Sequence, residues 1–153
     1  MRKYSLIFFY ILLFSFISCK QIEDCDDIDC INPVEPIYIE LIDMKTNENV
    51  FAAGMLNDSS QLVIVNSDFE SQKYNLLQES YLLELPEITD ILGSTAYQII
   101  IRNDYIITFL VDNQRVTEED CCKTFYVRKF RVSSLPYDFD KEFSLAKIYI
   151  NLE

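Results

Sequence analysis

Two kinds of side chain in this sequence could do chemistry, thiols and clustered carboxylates. The thiols are Cys19, Cys25, Cys30, Cys121 and Cys122. The carboxylates crowd three short stretches: Glu23, Asp24, Asp26, Asp27 and Asp29, then Glu118, Glu119 and Asp120, then Asp138, Asp140 and Glu142. Histidine is absent from the chain. That removes the Ser-His-Asp and Cys-His nucleophile arrangements and every imidazole metal site. Gly54 and Gly93 are the only glycines, so no Gly-rich phosphate loop can form.

Cys19 has the most specific surroundings. Arg2 and Lys3 form a positive start, residues 5–18 are apolar and uncharged, and the small Ser18 directly precedes the cysteine. These are the parts of a lipobox. A signal peptidase must fit a small side chain beside the scissile bond, and the thiol that follows is the nucleophile that takes the diacylglycerol. Phe16 stands where Leu is more usual. A transmembrane helix is the first alternative, but ~15 apolar residues at about 1.5 Å each span ~22 Å, short of the ~30 Å hydrocarbon core. The second is an ordinary cleaved secretory peptide with Cys19 a bystander. Acyl chains contribute about 0.8 kcal/mol per buried CH₂, so two or three hold a protein on a membrane durably. The sequence thus divides into a signal peptide (1–18), an acidic tether beginning at a lipidated Cys19 (19–35) and one folded domain (36–153).

With Cys19 acylated, Cys25, Cys30, Cys121 and Cys122 remain, an even number that suggests disulfides in an oxidising envelope. Bridges from the tether to Cys121 and Cys122 would pin the arm. Pairing Cys25 with Cys30 would leave a strained, reducible vicinal Cys121–Cys122 ring. Free thiols and a Cys₄ zinc site are the other readings, the latter disfavoured because adjacent cysteines rarely reach two corners of a tetrahedron. The tether's acids, closed by Pro33 and Pro36, describe a self-repelling spacer. An EF-hand would need a central Gly and a distal Glu that are missing. Asp138, Asp140 and Glu142 are weak candidates for a divalent cation site. Charge runs of this kind are more often solvated faces, and nothing in the spacing singles out a carboxylate pair for glycoside hydrolysis. The expectation is of no cofactor and no catalysis.

The chain carries 13 Lys and Arg against 25 Asp and Glu, a net −12 at pH 7. Removal of residues 1–18 takes Arg2 and Lys3 with it and deepens the charge by two, to −14. Such a surface repels nucleic acid and anionic headgroups, which excludes nucleic acid as a partner. Tyr38, Tyr137 and Tyr149 fall on outward or loop positions. There they could serve as platforms for a glycan or an envelope protein, or simply pack across strands.

The elements that must position these groups are strands. From Pro36 onward apolar residues alternate, with almost nothing at helical period. Strands are expected at 37–42, 49–55, 61–66, 74–77, 81–85, 97–111 as a hairpin, 124–133 and 144–152. Leu62, Val63, Ile64 and Val65 are apolar on both parities, which suggests a central strand. Pro86, an acid beside it and Gly93 frame a short helix at 87–92. In the hairpin an odd loop at Asn103-Asp104 would put Tyr97, Ile99, Ile101, Ile107, Phe109 and Val111 on one face and Gln98 and Thr108 on the other. Phe125 and Val127 share one parity while Phe130 and Val132 share the other, so a β-bulge is expected near Arg128-Lys129. Ala146, Ile148 and Ile150 face in, and Lys147 and Tyr149 face out. With few glycines, the turns fall to Asn, Asp and Ser.

About seven to nine short strands with turn signals between them imply an all-β fold, a single antiparallel β-sandwich. Several stretches resemble the small lipoproteins of the Bacteroidota whose single domain is an immunoglobulin-like or transthyretin-like sandwich. They are Ile39-Glu40-Leu41-Ile42-Asp43, Thr46-Asn47-Glu48-Asn49-Val50-Phe51, residues 105–111, Arg115-Val116 and Cys121-Cys122. Lys20 with Glu23-Asp24 after Cys19 is similar to the acidic export signals that carry such proteins to the cell surface. The resemblance implies an outer-membrane lipoprotein facing the periplasm or the exterior, and supplies no activity or binding residues to carry over. Its expected role is a non-catalytic interaction or structural module, with accessory ligand or cation capture for an uptake system as the alternative.

Overall fold

The structure, a computed structural model, describes residues 35–57, 59–86, 88, 92–117 and 123–152. They form nine strands in two sheets: β1 (Ile37–Asp43), β2 (Leu62–Asn66), β3 (Asn75–Leu77), β4 (Leu82–Leu85), β5 (Gly93–Ile101), β6 (Tyr105–Thr117), β7 (Lys123–Val132), β8 (Tyr137–Asp140) and β9 (Leu145–Ile150). One sheet has the order β3-β4-β1-β9-β8 and the other β2-β5-β6-β7. Every pairing is antiparallel except β1 with β9. The only helical element among the described residues is a 3₁₀ turn, Ser59–Gln61. The helix expected at 87–92 falls largely outside the described residues. Gly93, expected to end it, instead opens β5 at φ +89°.

The inward residues of both sheets belong to one apolar cluster. Ile37, Ile39, Leu41, Leu83, Leu85, Ala146, Ile148 and Ile150 come from one sheet, and Ile64, Tyr97, Ile99, Ile101, Phe109, Val111 and Phe130 from the other. Parity dictates this set, because successive side chains on a strand point to opposite faces. A line of rings crosses the cluster. Tyr97 stacks on Phe109 at 5.5 Å between centroids, Phe109 on Phe130 at 5.4 Å, and Phe130 on Phe139 of the other sheet at 5.2 Å.

The β5–β6 hairpin has the odd loop that the face separation requires. Ile101 pairs with Tyr105, leaving three residues between them, and Tyr97 pairs with Phe109. The bulge is also present: Asp112 pairs with Lys129 and Asn113 with Val127, so Arg128 is the extra residue. Its guanidinium ties to the Asp112 carboxylate, with Nε 3.0 Å from Oδ2, and both Val127 and Phe130 face the core.

Three expectations need correction. The strand expected at 49–55 is a single bridge between Asn49 and Ile42 followed by turns. Asn49 stops the ladder by turning its own side chain on the backbone, its Oδ1 accepting from the Phe51 amide at 2.9 Å. The turns still place Val50, Phe51 and Leu56 in the core. Second, β2 is an edge strand. Its open side is covered by the segment that follows, with the Gln72 amide donating to the Ile64 carbonyl at 2.8 Å and the Tyr74 hydroxyl to the Leu62 carbonyl at 2.6 Å. On the outer parity Val65 is 7% exposed, but Val63 is 41% exposed. Third, Tyr137 and Phe139 belong to β8, where only a loop was expected.

The turn after β1 is organised by a buried carboxylate. Oδ2 of Asp43 accepts from the Thr46 amide at 2.8 Å, the Thr46 hydroxyl at 3.1 Å and the Lys45 amide at 3.1 Å. The Thr46 amide, above all, holds this carboxyl below its ordinary pKa. Asn47, Asn103, Ser134 and Ser144 take positive φ as the glycine shortage predicts, but so do Phe69, Tyr81 and Arg102. In those three a bulky side chain accepts a left-handed turn at some steric cost.

Phe109 sits at the middle of the ring line, so Phe109→Ala leaves a void that its neighbours cannot fill. The expected loss is about 3–5 kcal/mol of folding stability, read from urea unfolding. A loss below ~1 kcal/mol would mean that the rings do not hold the core.

Candidate functional site

The outer face of the five-stranded sheet gathers the residues best suited to contact a partner. Two rows run across it. In the first, Asn75 of β3 lies opposite Glu84 of β4, Glu84 opposite Tyr38 of β1, Tyr38 opposite Leu145 of β9, and Leu145 opposite Asp140 of β8. In the second, Glu40 lies opposite Lys147, and Lys147 opposite Asp138. Tyr149 is the next outward residue on β9. On β1, β4 and β9 these residues alternate with buried ones, and on β3 and β8 with partly buried ones that pack on the core, which is why the sequence folds them outward.

Side-chain bonds fix this face. Lys147 Nζ is 3.2 Å from a Glu40 carboxylate oxygen. The Tyr149 hydroxyl donates to Asp138 Oδ2 at 2.8 Å, and the Asn75 side-chain amide donates to Glu84 Oε2 at 2.9 Å. Asp138 acts first through that hydrogen bond and holds the Tyr149 phenol above its ordinary pKa, opposed by Lys147. Burial, then the charge and hydrogen bond of Glu84, raises Tyr38 in the same way. Both rings therefore stay neutral hydrogen-bonding groups across the physiological range, surrounded by Glu40, Glu84, Asp138 and Asp140 with Lys147 among them. A shallow depression of about 650 Å³ opens beside them, bordered by Asp138, Asp140, Lys141, Lys147 and Tyr149.

The candidate residues singled out from sequence are distributed unevenly. Tyr38, Tyr149, Asp138 and Asp140 come together here. Tyr137 does not: it packs inward, 6.2 Å from the Phe130 ring, and its hydroxyl donates to the Phe130 carbonyl at 3.4 Å. Asp140 turns Oδ1 onto the Glu142 amide at 2.9 Å, shaping the turn into β9, and Glu142 is exposed on that turn. Among the described residues no three His, Cys, Asp or Glu are placed to hold a metal ion. Cys19, Cys25, Cys30, Cys121 and Cys122 all lie outside the described residues, as do Glu118, Glu119 and Asp120. Glu40, Glu84 and Lys147 escaped notice as site residues. Glu40 carried a signal, since it is a lone charge at the outward position between buried Ile39 and Leu41.

No helix among the described residues is long and apolar enough to cross a membrane. No protein-family model, no curated protein and no solved structure matches this chain. The Tyr149–Asp138 bond makes a specific prediction. A phenol whose pKa is raised in the folded state stabilises the fold fully below the ordinary value of 10.0, and that stabilisation is lost as the pH rises through the folded value. Asp138→Asn should therefore move the Tyr149 ionisation down toward 10.0, followed by ultraviolet titration with Tyr149→Phe identifying the band. An unmoved ionisation would show that the two side chains are not bonded in solution.

Proposed function

We propose that this chain is a lipid-anchored, non-catalytic interaction module of a bacterial outer membrane, presenting the tyrosine-carboxylate face of its five-stranded sheet to an envelope protein or glycan. In this reading Cys19 carries the acyl chains, the two sheets pack face to face as an immunoglobulin-like or transthyretin-like sandwich, and the acidic tether sets the distance to the bilayer. The observation that carries it is the face itself. Two tyrosines and four carboxylates are held in register on four strands of one sheet, and the ion pair and hydrogen bonds among them fix their orientation. Rigid aromatic residues with few rotatable bonds are efficient contact groups, because little conformational entropy is lost when they are covered. The excess of carboxylate over amine selects partners with cationic groups or with many hydroxyls.

A second reading, capture of a small ligand or divalent cation for an uptake system, is favoured by the depression beside Asp138, Asp140 and Tyr149. A ligand that binds only the folded state must raise the melting temperature. A scan with Ca²⁺ would then show a shift that the first reading does not require.

The first reading is tested by capture from envelope extracts with the wild-type chain and with a Tyr38→Ala, Tyr149→Ala double variant. A specific partner whose recovery drops by about tenfold or more with the variant is the expected result. Recovery that is equal for both chains, or no specific partner at all, would remove the face from consideration.

A further inference from the structure

The tip of the β5–β6 hairpin meets the residues that follow β9, and together they shape a cavity of about 380 Å³ lined by Ile101, Arg102, Asp104, Tyr105, Asn151 and Leu152. None of the six belongs to the tyrosine-carboxylate face. Backbone and side-chain bonds fix the walls. The Arg102 amide donates to the Gln61 carbonyl at 2.8 Å, and its guanidinium donates to the Met55 carbonyl, so the hairpin tip is tied to the turns that precede β2. The Asn151 amide donates to the Tyr105 hydroxyl at 3.5 Å and joins the end of the chain to the same tip. Tyr105 and Leu152 pack against the core, while Arg102, Asp104 and Asn151 are exposed.

The polar groups around this cavity are largely uncommitted. The Asp104 amide closes the turn on the Ile101 carbonyl at 3.2 Å, but the Asp104 carboxylate and the Asn151 side chain bond no other described residue. The Tyr105 oxygen accepts from Asn151, which leaves its own O–H to donate. Arg102 spends one N–H on Met55 and keeps the others. Its backbone is left-handed, φ +51°, a conformation that costs a long side chain more than it would cost Asn or Gly. Such cost is common where a side chain is held for binding.

We propose that this cavity binds a single neutral sugar ring, with Asp104, Arg102, Asn151 and the Tyr105 hydroxyl bonding its hydroxyl groups and the apolar surfaces of Tyr105 and Leu152 meeting its C–H face. Charge disfavours ionic ligands. One guanidinium and one carboxylate cancel, so neither an anion nor a cation gains net attraction, and the chain's net −12 repels anions further. A zwitterion would engage both charges, but the cavity is open to water on one side, and exposed ion pairs contribute little. Directed hydrogen bonds remain. A carboxylate only accepts, a guanidinium only donates, and an amide and a phenol do both. That set matches a ring whose hydroxyls donate and accept in fixed directions. Cavities for small ligands run from about 300 to 1,000 Å³, so this one suits one ring at the end of a glycan. The proposal is independent of the tyrosine-carboxylate face.

The test is saturation-transfer NMR on the full-length chain with the methyl pyranosides of glucose, galactose, mannose and N-acetylglucosamine, and with alanine as the zwitterion. At least one sugar should receive saturation. Its Kd should rise about tenfold in Asp104→Ala, a change at an exposed side chain without a partner in the fold. Tyr105→Phe keeps the ring, removes the hydroxyl and should also weaken binding. The Tyr38→Ala, Tyr149→Ala double variant should bind as the wild type does. Transfer to none of the four sugars, or equal affinity in Asp104→Ala and wild type, would overturn the proposal. So would loss of binding in the Tyr38→Ala, Tyr149→Ala variant, which would put the sugar on the sheet face, or transfer to alanine in place of the sugars.

Discussion

Everything in this fold depends on keeping one row of rings continuous from the four-stranded sheet into the five-stranded one. Tyr97, Phe109 and Phe130 lie on three neighbouring strands, and Phe139 meets Phe130 from the opposite sheet. Offset ring pairs contribute about 0.5–1.5 kcal/mol each beyond the area they bury. Their larger effect here is geometric, since each ring fixes the register of its strand. On β7 that requirement conflicts with strict alternation, because Val127 and Phe130 lie on opposite parities. The extra residue at Arg128 resolves the conflict. It turns the strand over by one position, keeps both side chains inside, and leaves Arg128 outside to pair with Asp112.

The same row makes the outer faces available. With the apolar side chains of both sheets gathered in one cluster, the alternate positions carry Tyr38, Glu40, Glu84, Asp138, Lys147 and Tyr149 outward. The parallel pairing of β1 with β9 is decisive, because it brings residues near 40 beside residues near 147. Neither strand could assemble the face alone. Asp138 and Glu40 flank Lys147 on adjacent strands, and Tyr149 is tied back to Asp138. Rigidity of this kind lowers the entropic cost of covering the face with a partner.

Much of this was legible in the sequence wherever parity decided it. The odd hairpin loop followed from separating Gln98 and Thr108 from Tyr97 and Phe109. The bulge followed from the phase change between Val127 and Phe130. What parity could not reveal was how strands pair over long distance. Leu62 to Val65 looked central because both parities are apolar, yet the strand lies at an edge bonded by residues 70–74, and Val63 is exposed. Residues 49–55 looked extended because the capping role of Asn49 depends on where its side chain turns. In 137–140 the alternation was present, but the acids drew attention away from Tyr137 and Phe139. Asp138, Asp140, Tyr38 and Tyr149 were identified singly. Their assembly into one face depended on the β1–β9 pairing, which joins strands about a hundred residues apart and leaves no local trace.

The functional reading gives this face a place to act, a bilayer surface reached through the thiol at residue 19. The most direct measurement is an intact-mass determination of the protein isolated from its native membrane fraction, followed by fragmentation of the N-terminal peptide. Acylation predicts a chain that begins at Cys19 and carries the added mass of diacylglycerol and fatty acid. An unmodified thiol at Cys19, or a protein recovered from the soluble fraction with residues 1–18 removed and no lipid attached, would contradict it.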